Sequence, residues 1–271
     1  MPERLHQVGT ASGLPAGASP QRPAGAVPPP PGQETYRATV RRLAGAQKPP
    51  AFGSPAYSRF VNRRIGRYLA AGAFQLGMTP NQVTAVSAAF SLAGILTIAL
   101  VEPAWWVGIV VALALALGYA LDSADGQLAR LRGGGSPAGE WLDHVVDCMK
   151  ILTLHTAVLI SFYRFFDLDA GWLLLPVAYQ LVDSTAFFAM TLNDQLKRGR
   201  IPTSAGPVVP SLKRSLLVLP TDYGVFCLAF VLLGWRTGFL VGYGLLLLAN
   251  ALYLAAALVK WYRTMAALGR G

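Results

Sequence analysis

The chain has 271 residues, 54% of them hydrophobic and only 13% charged, and its mean hydropathy is positive. A soluble domain carries about 25% charge, so this composition excludes an ordinary water-soluble globule. The formal net charge of +10 comes from short basic groups set between apolar runs, a pattern that orients a chain in a membrane and does not point to nucleic acid.

Residues 1–52 are rich in Pro, Gly and Ala and include Pro28, Pro29, Pro30 and Pro31. They show no secretory apolar run, and their composition predicts a disordered cytoplasmic tail. From residue 53 to 78 the pattern changes. Tyr57, Phe60, Val61, Ile65, Tyr68 and Leu69 recur at helical spacing, with Arg59, Asn62, Arg63 and Arg67 between them. That is an amphipathic basic helix suited to the lipid interface.

Six apolar segments follow, at 83–101, 105–121, 142–162, 172–192, 216–233 and 239–260, each long enough to approach or cross a hydrocarbon layer of about 30 Å. Trp105, Trp106, Trp172, Trp235 and Trp261 stand near their ends, as interfacial aromatics do. The loops after the first, third and fifth segments carry little positive charge, chiefly Arg164 and Arg236, whereas the opposite side collects most of the bases. The expected fold is therefore an all-α integral membrane domain at 79–263. It has six transmembrane helices and an amphipathic juxtamembrane helix, lies in the cell membrane, and keeps both termini cytoplasmic. Cys148 and Cys227 both lie in apolar stretches and imply no disulfide framework.

The chemistry concentrates where the second segment meets the third. Asp122, Asp125, Gly126, Ala129 and Arg130 share one helix face at i, i+3, i+4, i+7 and i+8, and Gly139, Asp143 and Asp147 share another at i, i+4 and i+8. An ionised aspartate in a membrane helix costs about 2.5–3.5 kcal/mol on insertion scales. Four of them need a purpose. A hairpin turned at Arg132-Gly133-Gly134-Gly135-Ser136 would bring both faces together near the cytoplasmic boundary. Two Mg²⁺ or Mn²⁺ ions would cancel the mutual repulsion, since hard oxygen ligands suit those metals. His144 and Cys148 lie off the Asp143/Asp147 face and make no zinc set. Gly126 and Gly139 leave room beside the acids, and Arg130 suits a diphosphate oxygen.

The series Asp122-x2-Asp125-Gly126-x2-Ala129-Arg130-x8-Gly139-x3-Asp143-x3-Asp147 resembles the complete signature of the CDP-alcohol phosphatidyltransferase family. The six-span layout and the preceding arm extend the resemblance over roughly residues 55–262. It implies a transferase that moves a phosphoalcohol group from a CDP-alcohol, CDP-diacylglycerol first among them, to an alcohol and releases CMP. It implies that Asp122, Asp125 and Asp143 hold one metal, and that Asp122, Asp143 and Asp147 hold a second. Asp147 is then also the general base, while Gly126, Ala129, Arg130 and Gly139 contact the CDP portion, with Ser136 as a weaker diphosphate ligand. Thr79-Pro80-Asn81-Gln82-Val83-Thr84 is similar to the family's Pro-Asn…Thr element, so Asn81 and Thr84 are expected at the nucleotide. Thr79 or Asn81 would equally well cap a helix.

The acceptor is the least specified part: a small alcohol or a sugar-alcohol phosphate, with Asp183, Lys197, Lys213 and Arg214 as candidate contacts. The bases among these serve topology as well. The motif also permits the reverse sense, with a soluble CDP-alcohol and a lipid acceptor. Outside this family the alternatives are an intramembrane cation transporter and an intramembrane prenyltransferase. Homodimerisation comes with the resemblance, and the Gly/Ala-rich spans allow it.

Overall fold

The computed structural model describes residues 34–47, 54–198 and 212–268. Among these the chain is helical, and five helices are long and apolar enough to cross a membrane. They are α3 (Pro80–Leu100), α4 (Trp105–Leu131), α5 (Pro137–Phe165), α6 (Leu174–Lys197, extended at its start by a 3-10 turn over Ala170–Leu173) and α9 (Arg236–Leu268). Before them come α1 (Tyr36–Gly45), a π turn at Ser58–Asn62 and α2 (Arg63–Gln75).

α4 is the central element, packed by α2, α3 and the segment before α9. It meets α3 through small residues: Ser87 donates to the Gly118 carbonyl at 2.8 Å, and Leu115 packs where Gly94 has no side chain. Such contacts let membrane helices approach closely where no solvent drives them together. A core of Ile98, Val111, Leu115, Val158, Phe162, Phe230, Phe239 and Tyr243 fills the middle. A second, smaller cluster of Leu43, Ala70, Phe74, Val83, Ala124 and Leu128 joins α1, α2 and the end of α4.

Two expectations are corrected. The tail expected to be disordered through residue 52 contains α1, while residues 1–33 and 48–52 lie outside the described part. Thr35 caps α1, Leu43 is 2% exposed against α2, and Tyr36 Oη donates to the Tyr68 carbonyl at 3.1 Å. A short apolar stripe suffices because α2 offers it a surface.

The segment expected as an unbroken fifth crossing at 216–233 is divided into α7 (Leu212–Leu217), a 3-10 turn at Leu219–Thr221, α8 (Tyr223–Ala229) and a 3-10 turn at Phe230–Gly234. Pro220 has no N–H to continue a helix. Asp222 restarts the chain, its carboxylate accepting from Gly224 N at 3.1 Å and from Ser58 N at 2.7 Å. Tyr223 meets Tyr119 of α4, ring centroids 5.1 Å apart. At the other end, Gly234 lies so near α4 that a Cβ there would come within 2.5 Å of Trp105 N. Tyr119 and Trp105 are about 21 Å apart along α4 at 1.5 Å per residue.

The arm before α3 has two unlike faces. Gly66, Ala70, Ala71, Ala73 and Phe74 are buried against the bundle, whereas Phe60, Val61, Ile65 and Tyr68 are exposed.

Candidate active site

The turn between α4 and α5 is built on backbone that only glycine adopts freely: Gly133 and Gly134 have φ of 101° and 132°. Arg132 fixes this turn to the start of α3 by donating from Nη2 to the Met78 carbonyl at 2.7 Å. α5 then opens with Ser136 as its cap, whose Oγ accepts from Gly139 N at 3.0 Å. α3 opens beside it with a capping box between Thr79 and Gln82. Two helix starts and the end of α4 therefore converge at one end of the bundle.

Between them lies a cleft of about 730 Å³. Its lining includes Asn81, Thr84, Asp125, Gly126, Ala129, Arg130, Ser136, Gly139 and Asp143, so every residue expected at the CDP portion stands on its wall. A methyl at Gly139 would come within 3.2 Å of Asn81 Oδ1, whereas one at Gly126 would project into the cleft with only Arg130 nearby. Both positions are bare beside the acids.

Asp122, Asp143 and Asp147 each offer one carboxylate oxygen, and the three atoms lie within 4.8 Å of one another. An all-oxygen anionic set of this kind fits Mg²⁺ or Mn²⁺. Asp125 shares a smaller adjoining cleft with Asp122 and Asp143, and Thr84 Oγ1 donates to its Oδ2 at 2.6 Å. Thr84, on α3, thus orients one acid of the set from outside the hairpin. His144 approaches Glu140 and Asp143 only at 3.7 and 3.8 Å, and Cys148 is exposed.

One residue of this cluster escaped the sequence reading. Lys150 Nζ lies 2.6 Å from Asp122 Oδ1 and 3.0 Å from Asp147 Oδ1, bridging two acids on different helices. The signal was available: Asp143, Asp147 and Lys150 fall at i, i+4 and i+7, one face of α5.

The acceptor candidates do not gather. Asp183 lies deeper, with Oδ2 3.1 Å from Nε2 of buried His155. Lys197 is half-buried in the last turn of α6, and Lys213 is exposed on α7. The side chain of Arg214 and the loop 199–211 lie outside the described residues. Among the described residues, Arg198 of that region contacts the hairpin through a two-toothed pair between its guanidinium and the Glu140 carboxylate.

Known proteins are similar to this chain in sequence and fold. A phosphatidylinositol phosphate synthase of Mycolicibacterium smegmatis is 29% identical over 121 residues. That match covers 45% of this chain and 52% of the relative, so the chain spans about half the length of the curated protein it matches. Two crystal structures of the phosphatidylinositol phosphate synthase of Mycobacterium tuberculosis share the fold. One, with CDP-DAG bound, has a TM-score of 0.50 at 22% identity and covers 74% of this chain and 94% of its own. The other, in complex with manganese and citrate, has a TM-score of 0.50 at 23% identity and covers 72% of this chain and 87% of its own. The sequence profile of the CDP-alcohol phosphatidyltransferases matches residues 77–263, from the start of α3 almost to the end of α9. With the fold, the signature and the oxygen-lined cleft in agreement, the chain belongs to the CDP-alcohol phosphatidyltransferase family.

Proposed function

We propose that this protein transfers a phosphatidyl group from a CDP-alcohol, CDP-diacylglycerol being our choice, to a small alcohol or sugar-alcohol phosphate, with release of CMP. The observation that carries the reading is the gathering of Asp122, Asp143 and Asp147 oxygens within 4.8 Å beside a glycine-walled cleft. The relative of known fold that was crystallised with CDP-DAG supports the choice of donor.

Two divalent cations would be held here, one by Asp122, Asp125 and Asp143 and the other by Asp122, Asp143 and Asp147. When bound, they neutralise the diphosphate and the charge that builds on the departing nucleotide. The protein does the rest. Gly126, Ala129 and Gly139 admit the cytidine against bare backbone, Asn81 closes over it from α3, and Arg130 takes a diphosphate oxygen. Thr84 orients Asp125, and Lys150 fixes the Asp147 carboxylate.

The acceptor hydroxyl gives its proton to Asp147 as its oxygen attacks the phosphorus that carries the donor's non-nucleoside alcohol. The new O–P bond forms as the bond to the CMP phosphate oxygen breaks, and CMP leaves with that electron pair. Ser136, already bonded to Gly139 N, contributes to the diphosphate wall through its position. For the acceptor we keep Lys197 of α6 and Lys213 of α7 as candidate phosphate contacts, with Arg214 beside them in sequence.

For the membrane, we propose six crossings, with Tyr223–Gly234 as a short fifth. It runs along α4 from the level of Tyr119 to that of Trp105, most of a hydrocarbon layer. The arm at 53–78 then lies in the cytoplasmic interface with Phe60, Val61, Ile65 and Tyr68 in lipid. Both termini are cytoplasmic, and the protein works as a homodimer in the cell membrane.

The test is direct. Purified protein receives labelled CDP-diacylglycerol with Mg²⁺ or Mn²⁺, and CMP should appear only when an alcohol is added. CMP release that requires a soluble CDP-alcohol and a lipid acceptor would reverse the donor assignment. Cation flux without any CMP would refute the transferase.

A further inference from the structure

Arg63 begins α2 and reads in the sequence as one of several bases that hold an interface helix to anionic lipid. Its surroundings differ from those of its neighbour Arg64, which is exposed. Arg63 lines a cleft of about 250 Å³ together with Asp122, Asp125, Gly126, Arg130 and Asp143. Its backbone is fixed from α4, because Gln127 Nε2 donates to the Arg63 carbonyl at 3.1 Å. The preceding Asn62, 3% exposed, donates from Nδ2 to the Tyr119 carbonyl at 3.2 Å. One turn on, Gly66 brings α2 so near α4 that a Cβ would sit 2.9 Å from Ser123 Oγ. A base that only orients a helix in lipid needs no such fixing.

We propose that Arg63 is a binding residue for the donor's diphosphate, pairing with Arg130 across the small cleft beside the aspartates. The inference rests on the reading of this site as a nucleotide-diphosphate site. It adds a wall that lies outside the family-matched residues 77–263. The charge pattern favours that occupant. Asp122, Asp125 and Asp143 in the lining would draw cations, and the guanidiniums of Arg63 and Arg130 in the same lining suit phosphate oxygens. A planar fork suits two oxygens of one phosphate, and we assign it the second phosphate of CDP, the one that CMP lacks.

The experiment uses full-length protein in nanodiscs of neutral lipid with Mn²⁺, titrated separately with CDP and CMP by calorimetry. Arg63→Gln should weaken CDP about 10- to 100-fold, the loss of one charge-assisted pair, while CMP stays within about 3-fold. Arg63→Lys should fall between, and Arg64→Gln should leave both affinities unchanged. Retained CMP binding certifies the fold of each variant, and Arg63→Lys serves if Arg63→Gln does not fold. A CDP-to-CMP ratio equal to that of the unaltered protein overturns the inference, and it is the result expected if Arg63 serves a lipid phosphate. Absence of Mn²⁺-dependent binding of either nucleotide to the unaltered protein would instead overturn the nucleotide reading itself, and this inference with it.

Discussion

Two charged clusters sit in the same helical bundle and are built on opposite plans. The first, at the hairpin of α4 and α5, gathers Asp122, Asp143 and Asp147 about the Lys150 ammonium, with Asp125, Arg63 and Arg130 along the adjoining open cleft. The second, deeper in the bundle, balances Asp183 against His155, whose Nδ1 lies 2.6 Å from Tyr243 Oη. Tyr179 and Phe226 enclose that imidazole at centroid distances of 4.6 and 5.5 Å, and Asn250 donates to Tyr179 Oη at 2.9 Å. Excess negative charge with access marks a place where ligands must supply the missing cations. Hydrogen-bonded partners under aromatic cover hold α5, α6 and α9 together. A buried ion alone does not identify function; its imbalance does.

The contrast is broken most severely by Asp147→Asn. Turnover should fall about 10³-fold or more, within the range lost with a general base, while cytidine nucleotide affinity stays within a few fold. Calorimetry beside the CMP-release assay checks both numbers, and residual turnover near the original rate would remove Asp147 from its role. Next comes Asp122→Asn, which takes away one of the two acids, Asp122 and Asp143, common to both proposed metal sites. Mn²⁺ affinity by electron paramagnetic resonance should drop about 100-fold, on the scale of lost metal contacts.

In the second cluster, His155→Phe keeps the ring and removes both nitrogens, leaving Asp183 without its partner. Stability in detergent should fall by about 1–3 kcal/mol, the cost of leaving polar partners unmet in a mostly buried setting, with the donor KM within 2-fold. A large KM change with unaltered stability would put His155 in the site and erase the distinction. The smallest effect belongs to Arg198→Ala. That pair with Glu140 is exposed, and no shift in Tm should be measurable.

The hairpin was legible in the sequence because helical periodicity converts spacing directly into shared faces, and intramembrane charge is costly enough to need explanation. Asp122, Asp125, Asp143 and Asp147 therefore stand out from the residues alone, and the structure brings three of them within ligand reach of one another. Lys150 sat on the same face unnoticed, since attention to acids passes over the base that bridges them. α1 was hidden by averaging: Tyr36, Thr39, Val40 and Leu43 form a stripe, but Pro and Gly dominate the window around them. The break at Pro220 was lost the same way, because hydropathy sums over a segment and ignores one missing amide hydrogen. Contacts such as Gln127 to Arg63, 64 positions apart, depend on how α2 lies on α4, and no local pattern encodes that.

The bond from Ser58 N to Asp222 joins residues 164 positions apart, and this has a consequence for biogenesis. At about 5–20 residues per second, the ribosome delivers Asp222 roughly 10–30 s after Ser58 has left it. Throughout that interval the arm that carries Arg63 has no anchor on α8. Insertion of the first spans therefore precedes this last fixing of the arm, and a nascent chain stopped before Asp222 would hold the arm's start without its tie to α8.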